Sequence, residues 1–318
     1  MTRWQVPVVL GAVAIGLTLG LTTEIGDHAE RLVVPSLVGL LALTFAGIHS
    51  GAFAEAIRPH PRTAWVSLVI NFVWVPLFAG GLGWMFLVND PDLRIGLVML
   101  LVTPCTDWYL VFIATARGNV ALGAALLPVN LILQLALLPL FVVALTGTAA
   151  DIPVGDLLVS VAVVLGIPLT VAVGLRLAAA WTGRGERLNA LLDHSEPVGL
   201  ALLAVAVIAI FATHAQLVID EPDALLRLLV PLLVFFAVAY GIANAISTWL
   251  GLAPAERVTL TMTTMARNSP IALAIATAAF PDQPLIAVAL VVGPLLELPV
   301  LSGAAHLLTR EVGSRIVR

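Results

Sequence analysis

The sequence predicts an all-α polytopic membrane protein, and three observations support that fold class. The chain has 318 residues, of which 60% are hydrophobic and 11% charged, and its mean hydropathy is +1.08. Soluble domains are about 45–50% apolar and about 25% charged. Ten apolar segments approach the roughly 20 residues that a helix needs to cross a bilayer. Barrel strands would instead show an alternating pattern over about ten residues.

The ten segments follow one another along the chain with short connections. The predicted spans cover about residues 5–22, 32–54, 63–88, 94–116, 119–146, 154–180, 196–217, 225–250, 256–280 and 284–308. Several connections carry turn signals rich in Pro, Asp and Asn, such as residues 89–92. No stretch between the segments is long enough to form a separate soluble domain.

The arginines predict the orientation of the chain. All fifteen basic residues are Arg, and basic residues concentrate in cytoplasmic loops. With both termini in the cytoplasm, that side holds Arg3, Arg58, Arg62, Arg117, Arg176, Arg184, Arg187, Arg257, Arg310, Arg315 and Arg318. Arg31, Arg94 and Arg227 fall outside, and Arg267 lies within a span. We therefore expect a multi-pass protein of the cell membrane with cytoplasmic N- and C-termini.

Ten spans divide into two repeats of five, residues 1–150 and 151–318. An odd number of spans inverts the second repeat, and transporters of this kind bind their cargo at the bilayer midplane between interrupted helices. Spans 4 and 9 carry matching interruptions at Pro104 and Pro270. Because freed backbone groups at membrane depth must be buried in protein or line a wet cavity, the sequence predicts that broken helices 4 and 9 cross at a polar centre.

Three ionisable residues lie deep within predicted spans, namely Asp107, Arg267 and Glu297. Each costs about 2.5–3.5 kcal/mol at the bilayer centre, which favours a functional role. Simple kinks at the two prolines would not account for Asp107 and Arg267 beside them. Glu297 suits a group that binds and releases a proton, with a static ion pair to Arg267 as the alternative. Arg267 could neutralise Asp107 or Glu297, or hold an anionic substrate.

Neutral polar side chains supply the other candidate ligands. Cys105 follows Pro104 where the second half of span 4 would begin, and a helix N-terminus stabilises a thiolate. A lone buried cysteine is otherwise a small apolar side chain. Asn130 and Gln134 lie four residues apart on one face of span 5. These amides could bond the loose backbone of span 4 or bind the substrate.

Several classes of function are excluded by the composition and by absent motifs. A net charge of −4 provides no basic field for a nucleic acid. The single cysteine forms no Cys cluster for a metal ion. The sequence contains no phosphate-binding loop for ATP and no metalloprotease or hydrolase motif. We therefore expect neither an enzyme nor a bound cofactor or metal, and no ATPase partner.

The interrupted spans resemble the arsenical-resistance branch of the bile acid/sodium symporter superfamily, the arsenite efflux permeases. Thr103-Pro-Cys-Thr106 is similar to the signature of that branch in span 4, whose cysteine is the key thiol. Asn130 and Gln134 are similar to its polar face in span 5. Residues 293–301, Gly-Pro-Leu-Leu-Glu-Leu-Pro-Val-Leu, resemble its span 10 motif, in which Glu297 takes the position of the essential carboxylate.

The resemblance implies export of trivalent arsenic, as arsenite, across the cytoplasmic membrane in exchange for protons. The proton-motive force would drive this transport without a cofactor. We expect Cys105, Thr106, Asn130 and Asn268 to bind the metalloid, with Cys105 as the candidate arsenic ligand. We expect Glu297 to act in ion coupling, as the resemblance implies, together with Asp107 and Arg267, which are not part of the signature of the branch.

Span 9 departs from the arsenite branch and leaves an alternative open. Asn268 and Ser269 are more similar to the sodium-coupled members of the superfamily. The alternative is a sodium-coupled symporter of small organic anions, in which Arg267 binds a carboxylate while Asn268, Ser269 and Glu297 help to hold sodium. A third possibility, a membrane sensor or intramembrane enzyme, has no motif in its support.

Overall fold

The computed structural model describes residues 2–23, 26–47, 58–105, 109–146, 154–220 and 222–316, and their regular structure is helical apart from one isolated β-bridge. The helices are α1 (Thr2–Thr22), α2 (Gly26–Gly47), α3 (Pro61–Val69, Ile70–Trp74 and Val75–Phe86), α4 (Pro91–Leu101), α5 (Tyr109–Thr115), α6 (Val120–Thr146), α7 (Val154–Trp181), α8 (Gly185–Asp193), α9 (Glu196–Thr213), α10 (Ala215–Asp220), α11 (Pro222–Trp249), α12 (Pro254–Met265), α13 (Ser269–Ala279) and α14 (Pro284–Ile316).

Among the described residues, five helical stretches are long and apolar enough to cross a membrane: Pro61–Phe86, Val120–Thr146, Ala162–Trp181, Leu226–Trp249 and Pro284–Arg310. A sixth is obtained when α8 and α9, which meet at a bend of 52°, are counted as one. The other predicted spans correspond to shorter apolar helices or to pairs of half-helices. The all-helical membrane class is therefore confirmed. The described helices do not form ten full-length membrane spans, since only five or six of them are long enough.

Helix packing does not follow the order of the chain. α1 and α2 pack against α9, and α2 also packs against α7, so the first two helices join helices of the second half. A second group forms where α4 packs against α3, α6 and α14, and where α11 packs against α12 and α14. α13 contacts both α2 and α7 of the first group and α14 of the second, so it connects the two groups.

α3 contains one π-helical turn, at Ile70–Trp74. The N–H of Val75 bonds to the carbonyl of Ile70, five residues back. Pro76 explains this turn, because proline lacks an N–H and its ring would clash with the carbonyl four residues earlier. Single π turns within α-helices are frequent at functional sites, and this one contains the fully buried Asn71.

The first residues of α3, α6 and α12 meet in what we call the helix-start cluster, formed by His60, Thr63, Asn119, Glu256 and Thr259. Glu256 Oε1 accepts hydrogen bonds from His60 Nδ1 and Thr63 Oγ1, both at 2.8 Å, and its Oε2 accepts from the N–H of Ala253 at 3.0 Å. Asn119 Nδ2 donates to His60 Nε2 at 2.9 Å. One carboxylate thus lies where three helices present the positive ends of their dipoles.

Candidate functional site

Two helices are interrupted at the prolines of predicted spans 4 and 9. The first interruption separates α4 from α5, and the second separates α12 from α13. Pro104 follows the end of α4 by three residues and cannot donate a helical hydrogen bond. Pro270 lies in the first turn of α13, where its missing N–H costs nothing, and Asn268 precedes that helix as its N-cap.

The two interruptions contact each other through their backbones as an antiparallel β-bridge. The N–H of Cys105 donates to the carbonyl of Ala266 at 3.0 Å, and the N–H of Asn268 donates to the carbonyl of Thr103 at 2.7 Å. These bonds use backbone groups that the broken helices leave without an intrahelical partner. The two interrupted helices therefore cross in direct contact, and we call this region the crossing.

The fully buried guanidinium of Arg267 binds the C-terminal ends of both helices that stop at the crossing. Its Nη2 donates to the carbonyls of Thr263 at 3.1 Å and Thr264 at 2.6 Å, and its Nε donates to that of Met265 at 3.4 Å. Its Nη1 donates to the carbonyl of Leu101, the last residue of α4, at 2.8 Å. A cation at helix C-termini stabilises the negative ends of their dipoles.

The remaining terminal carbonyls of α4 are bonded locally. Thr103 Oγ1 donates to the carbonyls of Met99 at 2.9 Å and Leu100 at 3.0 Å, and the N–H of Val102 donates to that of Val98 at 2.9 Å. With the bond from Arg267 to the last residue, all four terminal carbonyls of α4 have partners. This completeness is what burial at membrane depth requires.

Asn71 is a fully buried polar contact of the Arg267 side chain. Its Oδ1 accepts from Nη2 of Arg267 at 2.7 Å, while its Nδ2 donates to the carbonyl of Ser67 at 3.0 Å. The guanidinium carbon also lies 5.4 Å from the ring centroid of Phe235, within the range of a cation–π contact. An amide five residues before the mid-helix Pro76 is the sequence signal for this residue.

Glu297 lies on α14 and is fully buried at the crossing. Its Oε1 accepts the backbone N–H of Arg267 at 2.9 Å. The sequence leaves a static ion pair with the side chain of Arg267 as one alternative for this carboxyl. The hydrogen bond to Glu297 comes from the backbone of Arg267, while the guanidinium donates to carbonyls and to Asn71. Ser269 Oγ, in the first turn of α13, donates to the carbonyl of Leu290 on α14.

Two glycines allow α14 to approach α4 closely. A Cβ atom on Gly293 would lie 2.6 Å from Cδ2 of Leu100, and one on Gly96 would lie 2.7 Å from Cβ of Ala289. Both distances are shorter than Cβ atoms normally show. A larger residue at Gly96 would meet Ala289 and the backbone of Ile286, and one at Gly293 would displace the side chain of Leu100. The glycines thereby hold α14, which carries the buried carboxyl, against the first interrupted helix.

Cys105 lies at the crossing and is 3% exposed, packed within the protein core rather than on the outer surface of the helices. Asn268, the neighbouring candidate, is also buried, and its Oδ1 accepts the N–H of Ile271 at 3.2 Å as a helix cap. Thr106 and Asp107 lie outside the described residues. The structure thus brings together Cys105, Arg267, Asn268 and Glu297.

Asn130 and Gln134 lie on α6, which packs against α4, α5 and α12. Each is only 1% exposed. Within the part of the chain that the structure describes, neither the oxygen nor the nitrogen of either amide has a hydrogen-bond partner. Buried amides need partners, so this face of α6 offers four polar atoms to a ligand or to water.

Residues 32–221 match the family described as the Sodium Bile acid symporter family. The chain is 27% identical to the arsenical-resistance protein Acr3 of Corynebacterium glutamicum over 93% of this chain and 85% of that protein. It is 28% identical to the uncharacterized protein YbaS of Bacillus subtilis (80% and 82% covered) and 22% to the uncharacterized transporter slr0944 of Synechocystis (95% and 85%). It is a multi-pass membrane transporter, not an enzyme, and belongs to the Sodium Bile acid symporter family.

Proposed function

We propose that this protein exports trivalent arsenic, as arsenite, across the cytoplasmic membrane in exchange for protons. The observation that carries the proposal is the buried thiol of Cys105 at the crossing of the two interrupted helices. Similarity to an arsenical-resistance protein over 93% of the chain supports the same cargo. The proton-motive force supplies the energy.

In this proposal the chain crosses the membrane ten times as two inverted repeats, residues 1–150 and 151–318. The half-helices at the crossing serve as spans 4 and 9, and both termini face the cytoplasm. The distribution of arginine between alternate connections supports that orientation. The bridged backbone of the crossing supports a central site, because unwound segments of this kind line the binding sites of transporters with repeats.

The cargo chemistry fits a site with one sulfur. Arsenous acid is neutral near pH 7 and thiophilic. Its condensation with the thiol of Cys105 forms an S–As bond and breaks an As–O bond, and the thiol proton leaves with the hydroxyl group as water. Attack by water reverses the step. One sulfur ligand binds more weakly than three, so the cargo can be released.

Polar side chains would orient the remaining hydroxyl groups of the cargo. Asn130 supports this role because it is buried and its amide atoms have no partner among the described residues. Thr106 and Asn268 complete the proposed set. Gln134, one turn along α6, has a second buried amide whose atoms also have no partner among the described residues.

Glu297 is the proposed proton carrier. As a carboxylate it accepts the backbone N–H of Arg267, and such a bond to an ionised acceptor is stronger than one to a neutral carboxyl. Protonation therefore weakens a direct contact between α14 and the crossing. Asp107 and Arg267 would share in balancing the charge of the site during the exchange.

The contacts of Arg267 favour a neutral cargo over an organic anion. Its guanidinium donates to carbonyls at two helix ends and to Asn71. A carboxylate substrate would have to displace those bonds and leave buried carbonyls without donors, which costs about 1–3 kcal/mol for each group. This argument disfavours the sodium-coupled symporter of organic anions.

Everted membrane vesicles test the proposal. Vesicles that contain the protein should accumulate arsenite when respiration acidifies their interior, in a medium without sodium. Cys105→Ser should abolish this uptake, because a hydroxyl group has no comparable affinity for arsenic. Val102→Ala is a matched control, since it trims an equally buried residue of the same interruption and leaves the thiol intact.

The proposal would be overturned if Cys105→Ser transported arsenite as fast as the parent protein. Sodium-dependent uptake of an organic acid, without any response to arsenite, would instead support the symporter. Protein levels in the vesicles, measured by immunoblot, separate a loss of transport from a loss of the protein.

A further inference from the structure

The guanidinium of Arg267 fills a buried cage of five oxygen atoms. We define the oxygen cage as the backbone carbonyls of Leu101, Thr263, Thr264 and Met265 together with Oδ1 of Asn71. The donor-to-oxygen distances range from 2.6 to 3.4 Å. The oxygens come from three different helices, α3, α4 and α12, which end or unwind at this point.

The composition of the oxygen cage is that of a site for a monovalent cation. Four of its five members are carbonyls at the negative ends of helix dipoles. Transporters with interrupted helices coordinate sodium with unwound carbonyls and the C-terminal ends of half-helices. In ion channels, too, carbonyl oxygens replace the hydration shell of a monovalent ion.

We propose that Arg267 is a tethered cation that permanently occupies a monovalent-cation site, and that its removal opens this site to sodium. The protein would then carry at the crossing, as part of its own chain, the charge that a dissociable ion would otherwise provide. A tethered cation would explain why a proton rather than sodium is exchanged, and that part of the inference rests on the proposed function. The existence of the site does not depend on the cargo.

The oxygen cage is held in place by bonds that do not involve the Arg267 side chain. Asn71 is oriented by its bond to the carbonyl of Ser67, within a helix that the π turn already distorts. Ser67 Oγ lies 3.2 Å from Oγ1 of Thr263, which joins α3 to α12. The backbone bridge holds the ends of α4 and α12 together. The oxygens should therefore keep their positions when the guanidinium is removed.

A buried negative charge close to the oxygen cage would favour a replacement cation. Glu297 is fully buried and accepts the backbone N–H of the same Arg267 residue. A sodium ion in the oxygen cage would restore the positive charge near this carboxyl. An apolar side chain in the same volume would not.

Two substitutions separate the charge of Arg267 from its volume. Arg267→Ala leaves the oxygen cage open, whereas Arg267→Met fills it with an unbranched apolar side chain and excludes an ion. Purified parent protein and both variants are heated in detergent micelles that contain sodium chloride, potassium chloride or choline chloride at equal ionic strength. The measurement is the midpoint of thermal unfolding.

We expect the unfolding midpoint of the parent protein to be the same in sodium as in choline. The midpoint of Arg267→Met should be lower than that of the parent, but it too should be the same in both salts. Arg267→Ala should gain about 2–4 °C in sodium over choline and approach a plateau as sodium is raised, because only the folded state holds the ion. Equal midpoints for Arg267→Ala in all three salts would overturn the proposal. So would an equal sodium response in Arg267→Met.

Arg267→Ser serves as a second open variant, because its hydroxyl group adds a sixth oxygen and offsets part of the lost stability. If neither open variant folds in sodium, the oxygen cage does not bind the ion and the proposal fails. The assay contains no arsenical. A sodium response in the open variants would therefore stand if arsenite transport failed, and arsenite transport would stand if the sodium response were absent.

Discussion

The two ends of α12 are stabilised by buried or partly buried side chains of opposite charge. At its start, the carboxylate of Glu256 accepts hydrogen bonds from His60, Thr63 and the backbone N–H of Ala253. At its end, the guanidinium of Arg267 donates to three carbonyls of the same helix. An anion at the start and a cation at the end both match the helix dipole.

The two clusters differ in their access to water. Arg267 is fully buried, whereas the side chains of Glu256 and His60 are 15% and 30% exposed. In the helix-start cluster water can replace a lost partner, whereas the full burial of Arg267 keeps bulk water from its partners. A charged side chain at the end of α12 should therefore stabilise the fold more than the one at its start.

Replacing the buried cation should have the largest effect. Arg267→Met leaves carbonyls at two helix ends without donors, and two buried groups left unsatisfied at about 1–3 kcal/mol each cost about 2–6 kcal/mol together. We expect the free energy of unfolding, measured by denaturant titration in mixed micelles, to fall by that amount. Arg267→Lys is the control and should lose less, because it keeps the charge. A variant as stable as the parent protein would show that the helix ends need no cation.

Replacing the anion of the helix-start cluster should have an intermediate effect. Glu256→Gln keeps the shape of the side chain but weakens its charged hydrogen bonds, so the free energy of unfolding should fall by about 1.5–3 kcal/mol. Glu186→Gln is the control, since Glu186 lies exposed on α8 and should change stability by less than about 0.5 kcal/mol. An effect equal to that of Arg267→Met would show that access to water does not distinguish the two ends of α12.

An exposed ion pair should have the smallest effect. Arg227 Nη1 lies 2.8 Å from Oδ2 of Asp90, and the two side chains are 45% and 24% exposed. We expect the coupling energy from a double-mutant cycle of Asp90→Asn and Arg227→Gln to be about 0–1 kcal/mol, and to decrease at high salt. A coupling energy above about 2 kcal/mol would show that exposure does not set the order of these effects.

The helices were largely predictable because their signal is local. Apolar stretches and prolines give α6 and α7 nearly their observed limits and give the start of α14, and Pro104 and Pro270 give the two interruptions. Contact between the interruptions follows from the need to bury freed backbone groups.

The sequence did not predict α8, which occupies a stretch interpreted as a connection. It also did not indicate that α1 and α2 pack against helices of the other half, because packing partners depend on long-range contacts.

The candidate site was predictable in its residues more than in its contacts. Cys105, Arg267 and Glu297 are unusual residue types within apolar spans, and the structure places all three at the crossing. The partners of Arg267 were beyond sequence reasoning, because most of them are backbone carbonyls, which every residue possesses. Asn71 was overlooked as a partner because its position depends on a π turn that only the three-dimensional structure displays.

The position of Cys105 makes the unmodified protein suitable for spectroscopy. It is the only cysteine in the chain, and it lies where the two interrupted helices meet. A thiol-reactive fluorophore would label that point alone, with no engineered background. Its rate of attachment would report how often the interior opens to the reagent during the transport cycle.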